Sequence, residues 1–320
     1  MEFRLIDRIR ERTAQPRGDV HLGIGDDAAV LSVPTGQQLA VAIDTLVEGV
    51  HFPPATAPQD IGWKALAVNL SDLAAMGAEP AWALLALTLP HADPVRVDGL
   101  AEGFAELARE QGVALVGGDT TRGPFSLSVV VHGFVPPGQA LTRAAAGVGD
   151  AVFVTGTLGD AAGGLRLAQG ERAFDPADAA HAALCARLDR PTPRVRAGLA
   201  LRGLANACID VSDGLLADLA HICAASGVGA ELDVEALPLS PMLRAVFGDD
   251  TAREFALTGG DDYELCFTVP TTAIGAMHEA LAVVGEHASR IGAIVEGRGV
   301  SAIGGEPLAT RPGGWDHFAR

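Results

Sequence analysis

Lysine is almost missing from this chain: among 23 basic residues only Lys64 is a lysine, and the others are arginines. No GxxxxGK[ST] loop precedes it, so a P-loop is excluded, and there is no kinase-type HRD or DFG. Positive charge as a whole is scarce. Forty acids face 23 bases, giving a formal charge of −17, which disfavours a nucleic-acid backbone or an anionic membrane surface as partner. An anionic substrate would need cationic help. Cysteine is sparse too: Cys185, Cys208, Cys223 and Cys266 form no CxxC pair and sit in apolar surroundings, so reduced core thiols are expected. The nine histidines show no HxxxH or HExxH spacing, which argues against zinc. Long apolar runs are absent, since Ala81 to Leu89 is about half of the ~20 residues a bilayer requires. The stretch "MEFRLIDRIRERT" is amphipathic, carries mixed charge and lacks a signal-peptide core, so a cytoplasmic location and no membrane partner are expected.

What is present is enough apolar material, 48% of 320 residues, for a large core. Phe3, Leu5, Ile6 and Ile9 share one helical face, predicting a first helix that ends near Thr13. Strands are predicted at 28–33, 39–43, 81–89, 113–116 and 127–135, with helices at 59–76 and 94–111 between them. The Pro- and Gly-rich "VPPGQALTRAAAGVGD", residues 135–150, breaks periodicity and marks a junction. Beyond it, strands are predicted at 151–155, 207–211 and 263–269, and helices at 158–169, 193–204 and 214–226. The fold class is α/β of the α+β type, with two mixed α/β domains, 1–137 and 138–320.

One set of acids does not read as surface. Asp26 and Asp27 in "LGIGDDAAVL", Asp44 after "LAVAI", Asp72 in "NLSDLAAMG", Asp119 in "LVGGDTT", Asp210 and Asp213 in "CIDVSDG", and Asp261 and Asp262 in "LTGGDDYEL" stand among glycines and apolar residues. Aspartate is common in turns and caps, and Asp213 fits a helix cap. Yet five separate element ends repeat the pattern, and element ends are where α/β proteins build sites. Bases are scarce nearby, so either water or a cation must reach these carboxylates. An oxygen-only ligand inventory points to Mg²⁺, completed by waters and substrate phosphates. Two unit charges about 4 Å apart interact by roughly 4 kcal/mol at an effective dielectric of 20, so a bare polyphosphate would be expelled. Asp26 fits a turn as well as a ligand. The stretch "VTGTLGDAAGGL", residues 154–165, fits an anion at a helix N-terminus as well as close helix packing at Gly163 and Gly164.

The motifs "LGIGDDAAVL", "AIDTLVEGVHF", "KALAVNLSDLAAMGAEPAWALLALTLP", "GGDTTRGP", "HGFVPPGQALTR", "IDVSDGLLADL" and "GGDDYELCFTVP" together resemble the thiamine-monophosphate kinase family. That family lies in a superfamily of ATP-binding proteins with aminoimidazole ribonucleotide synthetase and selenophosphate synthetase. The resemblance implies transfer of the γ-phosphoryl of ATP to the phosphate of thiamine monophosphate. It also implies a homodimer formed through the N-terminal domains, with the C-terminal domain closing the ATP cleft. Carried over by position, Asp27, Asp44, Asp72, Asp119, Asp210 and Asp213 would hold several Mg²⁺ ions. Gly118, Asp119, Arg143 and Ser212 would contact ATP, and His51, Asp261 and Trp315 the thiamine phosphate. Where the family often has Ser-Thr-Asp this chain has Ala42-Ile43-Asp44, so only backbone carbonyls could serve at the first two positions. Asp261 stands where glutamate is common, which shortens its reach.

A phosphate acceptor is largely dianionic at neutral pH, its second pKa being near 6, so no strong general base is required. Neither a covalent nucleophile nor a His-based dyad is evident, and direct transfer is expected. The relatives fit less well. No cysteine precedes Cys185, as selenophosphate chemistry would want, and the chain ends "WDHFAR" rather than in a reactive cysteine.

Overall fold

The computed structural model describes residues 2–304 and residue 308. The chain divides into two compact units, residues 1–73 with 78–138, and residues 74–77 with 139–320.

The first unit opens with helix α1 (Glu2–Thr13), whose Leu5 and Ile9 are buried. A short hairpin of β1 (Val20–Leu22) and β2 (Val30–Leu31) follows. Next come β3 (Gln38–Val47), α2 (Pro58–Ala75), β4 (Glu79–Leu89), α3 (Pro94–Gln111), β5 (Ala114–Arg122) and β6 (Ser126–Val135). The last four strands form a sheet in the order β3-β6-β4-β5, parallel only between β4 and β5. One sheet face buries Leu46, Leu85, Leu87, Val129 and Val131. On the other side of edge strand β3, Val41 and Ile43 are 56% and 61% exposed. The boundaries of α3 follow from its ends. Asp93 Oδ1 accepts from the N–H groups of Val95 and Arg96 at 3.1 Å, Pro94 fits the first turn, and Gly112 closes the helix at φ 68°. Helix α2 is instead buried nearly all round, from Ile61 through Ser71, and so shows no apolar stripe.

The second unit contains β7 (Ala151–Thr155), α4 (Asp160–Ala168), α5 (Ala179–Asp189), α6 (Val195–Ala200), β8 (Ala207–Asp210) and α7 (Leu215–Ser226). It continues with β9 (Gly229–Leu232), α8 (Pro241–Phe247), α9 (Asp249–Thr258), β10 (Leu265–Val269), α10 (Ile274–Val283), β11 (Ala288–Val295) and β12 (Gly299–Ala302). Its six strands run β12-β9-β11-β7-β10-β8, antiparallel except for β12 with β9. Val152, Val154, Ile209, Leu219, Ile222 and Ile291 form the main core, and a satellite of Leu167, Leu184, Leu243 and Phe255 sits among α4, α5, α8 and α9.

Two expectations change. The strand predicted at 113–116 runs on to Arg122, because β4 continues to pair with the polar "GGDTTR". The strand predicted at 28–33 shrinks to Val30–Leu31, its remainder spent on a loop. Among the described residues no helix is long and apolar enough to cross a membrane. All four cysteines are free, three of them buried, and burial raises the Cys223 thiol to about 11.

Candidate active site

In the first unit the sequence-predicted residues occupy three places. The loop after β1 turns at Gly25, whose φ of 129° favours glycine. Asp26 Oδ1 accepts from the Asp27 N–H at 2.8 Å, so Asp26 is a turn-forming residue, and Asp27 stands exposed beside it. Strand β3 and helix α2 supply the second place. The Asp44 N–H donates to Asn69 Oδ1 at 2.9 Å, and the Asn69 amide donates back to Ala65 O at 2.9 Å. Asp72 follows Asn69 by three residues and shares its helix face. Asn69 was not among the predicted residues, although a polar side chain in an apolar helix was a visible signal.

Strand β5 holds the third place. A register slip against β4 sets Gly118 opposite Leu85 and Asp119 opposite Ala86. Gly118 has φ 150°, and a Cβ there would lie 1.9 Å from Leu85 O, so only glycine fits. A cavity of about 90 Å³ joins Gly118 and Asp119 to Ile24 of the glycine loop and to Ile6 and Ile9 of α1. The loop and "GGDTT" are therefore neighbours, whereas Asp44 and Asp119 lie on the two edge strands of the sheet. His51 Nδ1 accepts from the Val47 N–H at 2.9 Å, which places the ring proton on Nε2. Lys64, 1% exposed, donates to the His51 carbonyl at 3.2 Å and fixes that turn.

The second unit brings two motifs together more tightly. Beyond the pairing of Asp210 with Leu265, Val211 N–H donates to Glu264 O, Tyr263 N–H to Val211 O, and Asp261 N–H to Ser212 O, at 2.8, 2.8 and 2.9 Å. A Cβ on Gly260 would meet Ser212 O at 2.5 Å, so the two backbones touch. Asp218 of α7 was missed. Its Oδ2 accepts from the N–H groups of Ser212 and Asp213, both at 3.0 Å, and holds the "DVSD" turn in place. Burial, then the nearby Asp210 and Asp213, push its carboxyl up to about 8. Arg143 lies in an exposed loop whose shape is set by Ser226. The Ser226 hydroxyl donates to Arg143 O at 3.1 Å and accepts from the N–H groups of Ala145 and Ala146. Trp315 lies outside the described residues.

A buried ion network supports the Asp261 loop from below. Glu264, fully buried, accepts from Arg194 Nε and Nη2 at 2.6 Å each, from Arg187 Nη2 at 2.9 Å and from Thr155 Oγ1 at 2.6 Å. Asp262 Oδ2 takes the Gly159 N–H at 2.7 Å. This answers the question left by "VTGTLGDAAGGL": that N–H serves an internal carboxylate, and a Cβ on Gly164 would lie 2.4 Å from Leu184 O. The glycines serve packing. Among the described residues no three carboxylate, imidazole or thiol groups converge as a ready-made metal centre.

The fold and these motifs match two family models, AIR synthase related protein, N-terminal domain, over residues 25–135, and its C-terminal domain over residues 147–305. The chain is an AIR synthase related protein. It is similar to thiamine-monophosphate kinase of Escherichia coli (strain K12), at 49% identity over 99% of this chain and 98% of the relative. A crystal structure of thiamine-monophosphate kinase from Stenotrophomonas maltophilia K279a superposes with TM-score 0.89 at 54% identity, covering 95% of this chain and 96% of that one. A structure described as "AaThiL complexed with AMPPCP and TMP" gives TM-score 0.80 at 35% identity, covering 99% and 97%. Within its class the chain belongs to the thiamine-monophosphate kinase family, and it is a phosphotransferase enzyme.

Proposed function

We propose that this enzyme transfers the γ-phosphoryl group of ATP directly to the phosphate of thiamine monophosphate, giving thiamine diphosphate and ADP. The observation that carries the reading is the joining of "DVSD" and "GDDYE" in one zipped pair of loops, beside full-length similarity to a relative described with AMPPCP and TMP bound. The donor set is oxygen-only, and crowding by Asp210 and Asp213 already raises Asp218, so the local field favours a hard cation. Asp27, Asp44, Asp72, Asp119, Asp210 and Asp213 are the residues that would hold Mg²⁺. Such ions would supply charge neutralisation at the polyphosphate. A preformed cage is not needed, because Mg²⁺ commonly takes one or two carboxylates together with substrate phosphates.

The chain's own groups do the positioning. Gly118, whose missing side chain makes room for Leu85 O, would present backbone to the nucleotide, with Asp119, Ser212 and the Arg143 guanidinium completing its contacts. His51 offers its Nε2 proton, and Asp261 and Trp315 complete the acceptor side. The acceptor dianion attacks unaided, and no group on the enzyme is phosphorylated. Residues 1–137 would supply the dimer contacts with Gly118 and four of the metal-binding aspartates, and 138–320 would close the ATP cleft and add Arg143, Asp210, Ser212 and Asp213. A homodimer would cover the apolar edge at Leu39, Val41 and Ile43, which are 42%, 56% and 61% exposed. The four unpaired cysteines suit a cytoplasmic enzyme.

Phosphorus NMR on the enzyme with Mg-ATP, with and without thiamine monophosphate, tests this reading. Thiamine diphosphate should form only when both substrates are present. Inorganic phosphate released without acceptor would indicate a phosphohydrolase, and labelled phosphate trapped on the protein at a competent rate would refute direct transfer.

A further inference from the structure

Tyr263 is the only tyrosine in the chain and is 8% exposed. Its hydroxyl donates to Asp261 Oδ1 at 3.0 Å, across one intervening residue. The backbone is unusual at both partners: φ is 67° at Asp261 and 50° at Tyr263. Aspartate tolerates the left-handed region, but a bulky aromatic there is an outlier. Such conformations persist only where their surroundings over-determine them, and they cluster at functional sites.

Here the restraints can be named. Asp261 and Tyr263 each donate their N–H to the facing "VS" carbonyls of Val211 and Ser212. Between them the buried Asp262 accepts the Gly159 N–H through Oδ2, and its carbonyl accepts from Arg187 Nη2 at 3.0 Å. Every residue of the tripeptide is thus tied down, and the left-handed turn brings the phenol of Tyr263 back onto the carboxylate of Asp261. An extended tripeptide would carry the ring away along the strand.

We infer that Tyr263 is a positioning residue for the acceptor substrate: its hydroxyl fixes the Asp261 carboxylate in the orientation that receives the cationic, hydrogen-bonding ring portion of thiamine monophosphate. The inference rests on the reading of Asp261 as an acceptor contact. It adds that a phenol buttresses that carboxylate. A hydrogen bond to a charged group corresponds to roughly a ten- to hundredfold effect, so the loss should be measurable.

Steady-state kinetics on Tyr263→Phe, Asp261→Asn and the double variant test it, with thermal midpoints recorded for each. Tyr263→Phe keeps the ring and should fold with an unchanged midpoint. Its KM for thiamine monophosphate should rise about tenfold or more, while KM for ATP stays within about twofold. The double variant should match Asp261→Asn alone, because Tyr263 acts only through that carboxylate. Two results overturn the inference: Asp261→Asn raising KM while Tyr263→Phe leaves it unchanged, or the two effects multiplying in the double variant, which would mean that Tyr263 touches substrate itself. Wild-type KM in Asp261→Asn would instead overturn the reading of Asp261, and the inference with it. Should Tyr263→Phe unfold, the hydroxyl is a folding determinant and the inference fails.

Discussion

Replacing Glu264 by glutamine should destabilise the second unit far more than its single-atom change suggests. The carboxylate takes four donors, two from Arg194, one from Arg187 and one from Thr155, and it is fully buried. A glutamine amide keeps one oxygen, so its NH₂ must face guanidinium N–H groups and two donors are set against each other. Both arginines are mostly buried, at 21% and 18% side-chain exposure; Arg187 would lose its ion-pair partner and Arg194 would keep only Glu286, at 3.2 Å. Breaking a buried ion pair by removing one partner costs about 3–5 kcal/mol. For a unit of this size about 1 kcal/mol moves Tm by roughly 2–4 °C, so a drop of roughly 6–20 °C is expected. Differential scanning calorimetry reads it directly, and Arg194→Met added to Glu264→Gln should recover part of the loss. A drop below about 2 °C, or a double variant worse than the sum of its parts, would refute the idea that Glu264 neutralises these arginines.

Two further outcomes follow from buried geometry. Burial raises the Asp262 carboxyl well above its usual range, aided by Asp160 and Glu264 and opposed by Gly159 N–H and Arg187, so the folded state keeps a proton that the unfolded state releases above about pH 4. That stabilisation is complete below the unfolded pKa and declines by up to about 1.4 kcal/mol per pH unit as pH rises toward the folded value. Asp262→Asn should lessen the decline of denaturant-measured stability as pH rises above the unfolded carboxyl value, leaving the share due to Asp218, and an unchanged slope would rule out the buried proton. Gly118→Ala forces a Cβ to within 1.9 Å of Leu85 O at φ 150° and should cost at least about 1–3 kcal/mol. KM for ATP should rise with it, and a wild-type melting curve would show that β5 tolerates a side chain there.

Local signals account for what could be read before the structure. Helix α3 announced itself through Asp93, Pro94 and Gly112, and β7 through an unbroken apolar run. Strand β5 was cut short because "GGDTTR" is polar, and only pairing to β4 keeps it extended. Strands β9 and β12 are four residues each, and α5, α8, α9 and α10 were not separated from their neighbours by composition. Within the site, acids next to glycine stood out, while Asp218 passed as an ordinary helix acid because its partners are backbone N–H groups. Glu264 was invisible for another reason: Thr155 is 109 positions away, and no short-range pattern links them.

The burial of Lys64 has a chemical consequence. With its only lysine 1% exposed, the folded enzyme offers amine-directed reagents no accessible lysine side chain. Acylating labels should therefore leave Lys64 unmodified under native conditions and reach it only when α2 loses its packing. Amine reactivity in this protein is a counter for opening of the first unit, read at one residue in a background free of other lysines.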